Sequence, residues 1–158
     1  MNADEVRDGY VVASSERIDV LSRAPFFADL DVARLERVAV ISRWLDHEPG
    51  TQLYDHGDAA DEFFVVNYGI IRLKLTWRGR QARDGYTLGP SQVLGWAALL
   101  DGPQRRICTA ESVTRACVLA IHGGRFRELM DADHTLGYFA TRQLSLLITH
   151  NLRTFAAG

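Results

Sequence analysis

The chain is poor in cysteine, in charge imbalance and in long apolar runs, and each shortage removes a class of protein. Cys108 and Cys117 are its two cysteines, and both lie in apolar stretches. That excludes a disulfide-dense secreted scaffold and reads as two reduced, buried thiols. Eighteen Lys and Arg stand against twenty Asp and Glu, for a formal net charge of −2. No global field pulls the chain toward nucleic acid or an anionic membrane. No apolar run approaches the ~20 residues that span a bilayer. The opening MNADEVRDGY mixes acids with its basic residue and leads into no apolar core, so it is not a signal peptide. The expected location is the cytoplasm. Neither GxGxxG nor GxxxxGK[ST] occurs, and no Ser/His/Asp or Cys/His arrangement has supporting loops. His47, His56, His122, His134 and His150 include no i, i+4 pair, and no cysteine flanks one at ligand spacing. No catalytic residue and no metal ligand is therefore expected, and the chain is not expected to be an enzyme.

What is present is 158 residues, 47% hydrophobic and 24% charged, which suits one domain with a core. Residues 1–14 are polar and mixed and are expected as a loose arm. Ser15 can cap a short helix with Ile18 and Leu21 on one face. Pro25 then bends the chain, and Phe26 and Phe27 are candidate anchors. Asp31 can cap a second helix to about Val40, whose Val32, Leu35, Val38 and Ala39 keep helical spacing. From Ile41 the pattern changes to short apolar segments divided by Gly, Pro and Asp: ISRWL, TQLY, EFFVVN, GIIRLKLTW, RDGYTL, QVLGW, RICTAES and RACVLAI. Ile71, Leu73 and Leu75 alternate cleanly, and the glycines of NYG (67–69) and RGR (78–80) predict hairpin turns. A helix after HGGRF carries Phe126, Leu129 and Met130 on one face, and a long helix follows from about Thr135 to Phe155. The expected fold class is α+β. An antiparallel β-roll of the jelly-roll or cupin-like kind, with N-terminal helices, spans 15–125, and C-terminal helices span 126–158.

Along the long helix Leu136, Ala140, Leu144, Leu147, Asn151 and Phe155 recur at steps of four and three. Phe139, Leu146, Ile148 and Leu152 widen the apolar area. A stripe sustained over three heptads is how two helices pair, so a homodimer through this helix is expected. The alternative is docking on the chain's own barrel.

The stretch LYDHGDAADEFFVVNYGIIRL resembles the cyclic-nucleotide-binding domain, the sensor of catabolite-activator and FNR-type regulators, of protein kinase A regulatory subunits and of gated channels. Gly57, Asp58, Asp61, Phe64, Val65, Val66 and Gly69 fill that family's pattern. The first two make a tight turn, Asp61 can brace the next, and Gly69 allows a hairpin. LGPSQVLG resembles the strand entering the phosphate-binding cassette, RICTAESVT the strand leaving it, and FRELM the start of the last helices. The resemblance covers about Ile18 to Phe155.

In ligand-binding members the cassette holds a cyclic phosphate and a ribose. An arginine pairs with the phosphate, a glutamate after the glycine accepts from the ribose 2′-hydroxyl, and a small or hydroxyl residue follows the arginine. The resemblance implies that Gly95 is the glycine and that Ala97 and Ala98 form the short helical turn. It implies that Arg106 is the arginine, with Arg105 a neighbouring candidate. Trp96 stands where the glutamate belongs, and Ile107 replaces the small residue. Burying a ribose hydroxyl against indole without a partner costs about 1–3 kcal/mol.

The expectation is a non-enzymatic regulatory sensor or interaction module that does not bind cAMP or cGMP in the family's usual mode. No cofactor is assigned; a cyclic nucleotide or another small anionic ligand stays open. The alternative is the sensor half of a catabolite-activator-type regulator that does bind such a ligand. Nothing after the long helix can form a recognition helix, so direct DNA binding by these residues is not expected. An enzyme on a cupin-like barrel would need inward His and Glu ligands, and the strands carry mainly apolar residues and Arg.

Overall fold

The computed structural model describes residues 5–7, 10–12, 15–77, 80–81 and 85–157. Strands β1 (Glu5–Arg7) and β2 (Tyr10–Val12) pair as an antiparallel ribbon within the segment expected as an arm. Helix α1 (Ser15–Arg23) leads through a 3-10 turn (Pro25–Phe27) to α2 (Val32–Val40). Asp31 caps α2 as its type suggests: its Oδ1 accepts from the Arg34 N–H at 3.0 Å. The β-rich middle follows as β3 (Ser42–His47), β4 (Gln52–Tyr54), β5 (Glu62–Tyr68), β6 (Ile71–Trp77), β7 (Arg80–Gln81), β8 (Tyr86–Leu88) and β9 (Val93–Leu94). A second 3-10 turn (Trp96–Leu99) precedes β10 (Cys108–Ser112) and β11 (Ala116–His122). Helices α3 (Gly123–Ala132) and α4 (His134–Ala157) close the chain.

The strands form two facing antiparallel sheets. One has the order β3-β11-β5-β9; the other runs β4-β10-β6, with β7 and β8 pairing opposite ends of β6. This is an α+β roll open at its edges. The NYG turn is a hairpin in which Gly69 adopts φ +94°, and a Cβ there would lie 2.5 Å from the Arg115 carbonyl oxygen. Of the expected RGR turn, Trp77 and Arg80 are a paired couple, and residues 78–79 lie outside the described residues.

Two cores explain two sequence patterns. Ile71 and Leu73 of β6 point between the sheets, meeting Phe64, Val66, Val118 and Ala120. One face of β6 is buried, so it alternates. Strands β5 and β11 are buried on both faces. Phe63, Val65, Leu119 and Ile121 turn away from the roll toward Phe26, Phe27, Phe126 and Leu136. This is why FFVV and CVLAI run apolar without alternation. Phe63 and Phe126 meet edge to face with centroids 5.1 Å apart.

The stripe assigned to helix pairing is turned inward. Leu136 and Ala140 are buried against the outer face of the β5/β11 sheet, and Leu144 and Leu147 pack on the same cluster. Phe155 reaches the inter-sheet core, its ring 5.1 Å from that of Tyr86. The stripe's spacing thus reflects docking on the chain's own roll. The apolar residues that α4 leaves exposed are Tyr138, Leu146 and Leu152, at 59%, 63% and 60% exposure.

Candidate functional site

The cassette starts where β9 ends. Gly95 takes φ +83° and turns the chain into the Trp96–Leu99 helical turn. A Cβ on Gly95 would lie 3.0 Å from Arg106 Nη1 and 3.1 Å from the Phe64 ring. Glycine is needed here for its conformation and for the room it leaves to the arginine. The exit of the cassette is tied to the GD turn. Gly57 N–H donates to the Arg106 carbonyl at 2.9 Å, Arg106 N–H to Asp58 O at 2.8 Å, and Ala60 N–H to Gln104 O at 3.0 Å. Asp58 Oδ2 accepts from the Asp55 N–H at 2.9 Å, which closes that turn. Asp61 braces the next element through its backbone, its carbonyl accepting from Gly123 N–H at 2.9 Å.

Arg106 is buried, at 4% exposure, between the sheets. Its Nη1 donates to Gly95 O at 3.1 Å and its Nη2 to Glu62 O. The guanidinium carbon sits 4.2 Å over the Tyr54 ring, with Phe64 next to it at 5.6 Å. Such desolvated stacking contributes about 2 kcal/mol. Among the described residues the buried Nε–H has no acceptor. Burial pulls the Arg106 pKa down, and burial pushes the Tyr54 hydroxyl well above and the Cys108 thiol above their ordinary values. At neutral pH the arginine is a cation facing two neutral groups, whose Oη and Sγ lie 4.0 Å apart.

Trp96 does not offer a ribose acceptor. Its indole packs against the helix-side core, and Nε1–H donates to Asn151 Oδ1 on α4 at 3.1 Å. The space left beside Arg106 is about 20 Å³, lined by Tyr54, Gly95, Trp96, Cys108 and Asn151 among others. Ligand pockets typically measure roughly 300–1,000 Å³. Helix α3 holds the other end of the turn. Arg127 Nη1 donates to the carbonyls of Ala98 (2.6 Å) and Leu100 (3.1 Å), and Gly123 lies so near that a Cβ would be 2.4 Å from Ala98 O. The cassette is therefore tied to α3 by Arg127 and to α4 by Asn151.

The structure brings Gly95, Trp96, Ala97, Arg106 and Ile107 to one cavity, while Ala98 is fully buried beneath the turn. Arg105 is not among them. It is exposed, donates to Gly57 O at 3.2 Å, and lines a separate surface groove with Asp61, His122 and Arg127. Ile107 lies at the rim and is 41% exposed. Asn151, expected to pair helices, is a cassette residue instead, at 7% exposure. Sequence reading missed Tyr54, Cys108 and Arg127. The aromatic at Tyr54 fits the family pattern, but nothing in its spacing announces a cation stacked on it.

Residues 45–133 match the cyclic nucleotide-binding domain family, more than half of the chain. No curated protein matches it. Among solved structures it is similar to the N-terminal domain of a transcriptional regulator from Streptomyces coelicolor A3(2), with TM-score 0.68 and 26% identity over 84% of this chain and 94% of that one. It is similar to a cyclic nucleotide-binding domain from Methylobacillus flagellatus KT, with TM-score 0.70 and 15% identity over 89% and 78% of the two chains. It is also similar to the catabolite activator protein of Thermus thermophilus, with TM-score 0.68 and 23% identity over 83% of this chain and 59% of that one. Fold, cassette and match agree: the chain belongs to the cyclic nucleotide-binding domain family.

Proposed function

We propose that this chain is a non-enzymatic regulatory domain whose cassette keeps the anion-holding arginine but does not take cAMP or cGMP in the family's usual mode. One observation carries this reading. The indole at the ribose-acceptor position is bonded to Asn151, and about 20 Å³ remains beside Arg106. A ribose there would meet no carboxylate and would have to displace both Trp96 and Asn151. The cost of an unpartnered buried hydroxyl, about 1–3 kcal/mol, comes on top of breaking that bond. What the domain transmits would pass through the cassette's ties to α3 and α4, since a ligand or partner that binds one arrangement better shifts the population toward it. Self-association through the exposed Tyr138, Leu146 and Leu152 face of α4 fits the same reading, because neighbouring copies would cover apolar surface that the roll leaves open. Among the described residues no helix is long and apolar enough to cross a membrane.

Equilibrium dialysis against labelled cAMP and cGMP tests the proposal. The expected result is no saturable uptake at micromolar nucleotide. Saturable uptake that disappears in Arg106→Ala contradicts it and favours the alternative, a nucleotide-binding sensor half of a transcription regulator.

A further inference from the structure

A second cavity borders the loop that leaves the cassette turn. This groove of about 460 Å³ is lined by Asp61, Gln104, Arg105, His122, Gly124 and Arg127 among others, and it shares no lining residue with the cavity beside Arg106. Its volume falls in the roughly 300–1,000 Å³ range of small-molecule sites. Both of its arginines are anchored on backbone carbonyls through Nη1 alone. Arg105 donates to Gly57 O at 3.2 Å, and Arg127 to Ala98 O and Leu100 O at 2.6 and 3.1 Å. Among the described residues neither forms an ion pair within 4.0 Å, and neither Nε/Nη2 edge has an acceptor. That same edge is the one with which Arg43 grips Glu62, at 3.0 and 2.7 Å, and Arg34 grips Asp133, at 2.8 and 3.4 Å. Arg127 Nη2 stands at the groove wall, since a Cβ on Gly124 would lie 3.7 Å from it. His122 Nδ1 accepts from the Arg125 N–H at 3.1 Å, so the ring proton is on Nε2 and adds a donor. Asp61 is the one carboxylate among the described lining residues, and it is exposed. An ionised carboxylate only accepts hydrogen bonds and repels a second negative charge.

We infer that this groove, outside the cassette cavity, binds a small hydroxylated phosphomonoester of the sugar-phosphate class. The phosphate is held by the Nε/Nη2 edges of Arg105 and Arg127, and a hydroxyl of the ligand donates to Asp61. A planar guanidinium edge matches two oxygens of a phosphate, and each such contact is charge-assisted. Two fixed cations with open edges select the oxyanion. The single carboxylate selects a body that donates hydrogen bonds and carries no further negative charge. The inference goes beyond the reading of a closed cassette and stands apart from it. Arg127 carries both the ligand edge and the tie to Ala98 and Leu100, so occupancy of the groove bears on the contact between α3 and the cassette turn.

The test titrates the whole isotope-labelled chain with glucose 6-phosphate, glucose or inorganic phosphate, at neutral pH and constant ionic strength, and follows the backbone amide resonances. Glucose 6-phosphate should saturate and move the Gly124 amide while leaving that of Gly95 in place. Inorganic phosphate should bind more weakly, and glucose should not bind. Arg105→Gln should weaken glucose 6-phosphate about tenfold, the loss of one charge-assisted contact. That variant keeps the fold, because the side chain is exposed and the Ala59–Arg105 bridge is made by backbone. Asp61→Asn should tighten inorganic phosphate and narrow the advantage of glucose 6-phosphate over it. No saturation by glucose 6-phosphate, or an affinity unchanged in Arg105→Gln, overturns the site. Inorganic phosphate binding as tightly as glucose 6-phosphate overturns the ligand class. A titration that moves Gly95 instead, and is lost in Arg106→Ala, places the ligand in the cassette and overturns the inference.

Discussion

The hydrogen bond from Trp96 Nε1 to Asn151 Oδ1, 3.1 Å long, joins the cassette to the last helix, and its energy can be isolated. Asn151→Ala leaves the indole N–H without its acceptor. Trp96 is partly rather than fully buried, so water recovers some of the loss, and the cost falls in the lower part of the about 1–3 kcal/mol range for an orphaned buried donor. Trp96→Phe removes the donor and keeps most of the ring. A double-mutant cycle over the two changes should return a coupling of about 1 kcal/mol. At this chain length each kcal/mol moves the midpoint by roughly 2–4 °C. Urea unfolding followed by far-UV circular dichroism avoids tryptophan fluorescence, which Trp96→Phe itself alters. Additivity within about 0.3 kcal/mol would mean that α4 is not tied to the cassette through this contact.

Three further expectations follow from named contacts. Gly123→Ala places a methyl 2.4 Å from Ala98 O, and the overpacking should destabilise the chain by about 1–3 kcal/mol in urea unfolding; an unchanged midpoint would mean that α3 does not press on the cassette. Asp133 accepts from Arg34 Nε (2.8 Å) and Arg37 Nη1 (3.1 Å), and the Arg34 hydrogen bond holds its carboxyl below the usual range. Its contribution is therefore present above the ordinary Asp pKa of about 3.9 and fades as pH falls through the lower folded value, so Asp133→Asn should cost more stability at pH 7 than at pH 2. An equal deficit at both pH values would remove the carboxylate from the explanation. If α4 carries the proposed self-association, sedimentation velocity should show a dimer for the unaltered chain and a monomer for Leu146→Glu with Leu152→Glu, with the same circular dichroism; a monomeric unaltered chain removes the proposal, and a dimer that survives both changes lies on another surface.

Most of the strand plan was readable because its punctuation is local. Gly69, with φ +94°, and the alternation of Ile71 and Leu73 each follow from one hairpin and one half-buried strand. The cassette's glycine, turn and arginine were readable by resemblance. The destinations of long-range partners were not. The Leu136–Phe155 stripe has the same period whether it meets a second helix or a sheet, and only the doubly buried β5 and β11, with Phe63 and Leu119 facing outward from the roll, decide that it meets a sheet. Trp96 was legible as the loss of a carboxylate, but not as a donor, because Asn151 lies 55 residues away. Arg127 was missed for the same reason: its acceptors are carbonyls, which carry no sequence signature.

In the proposed function the cassette keeps its arginine while excluding the sugar. Isothermal titration of the unaltered chain with cAMP and with cGMP tests this. The account predicts heats of dilution only, for both nucleotides, up to millimolar concentration. A saturable isotherm in the micromolar range, absent in Arg106→Ala, would contradict it, because Trp96 and Asn151 would then have yielded to a ribose.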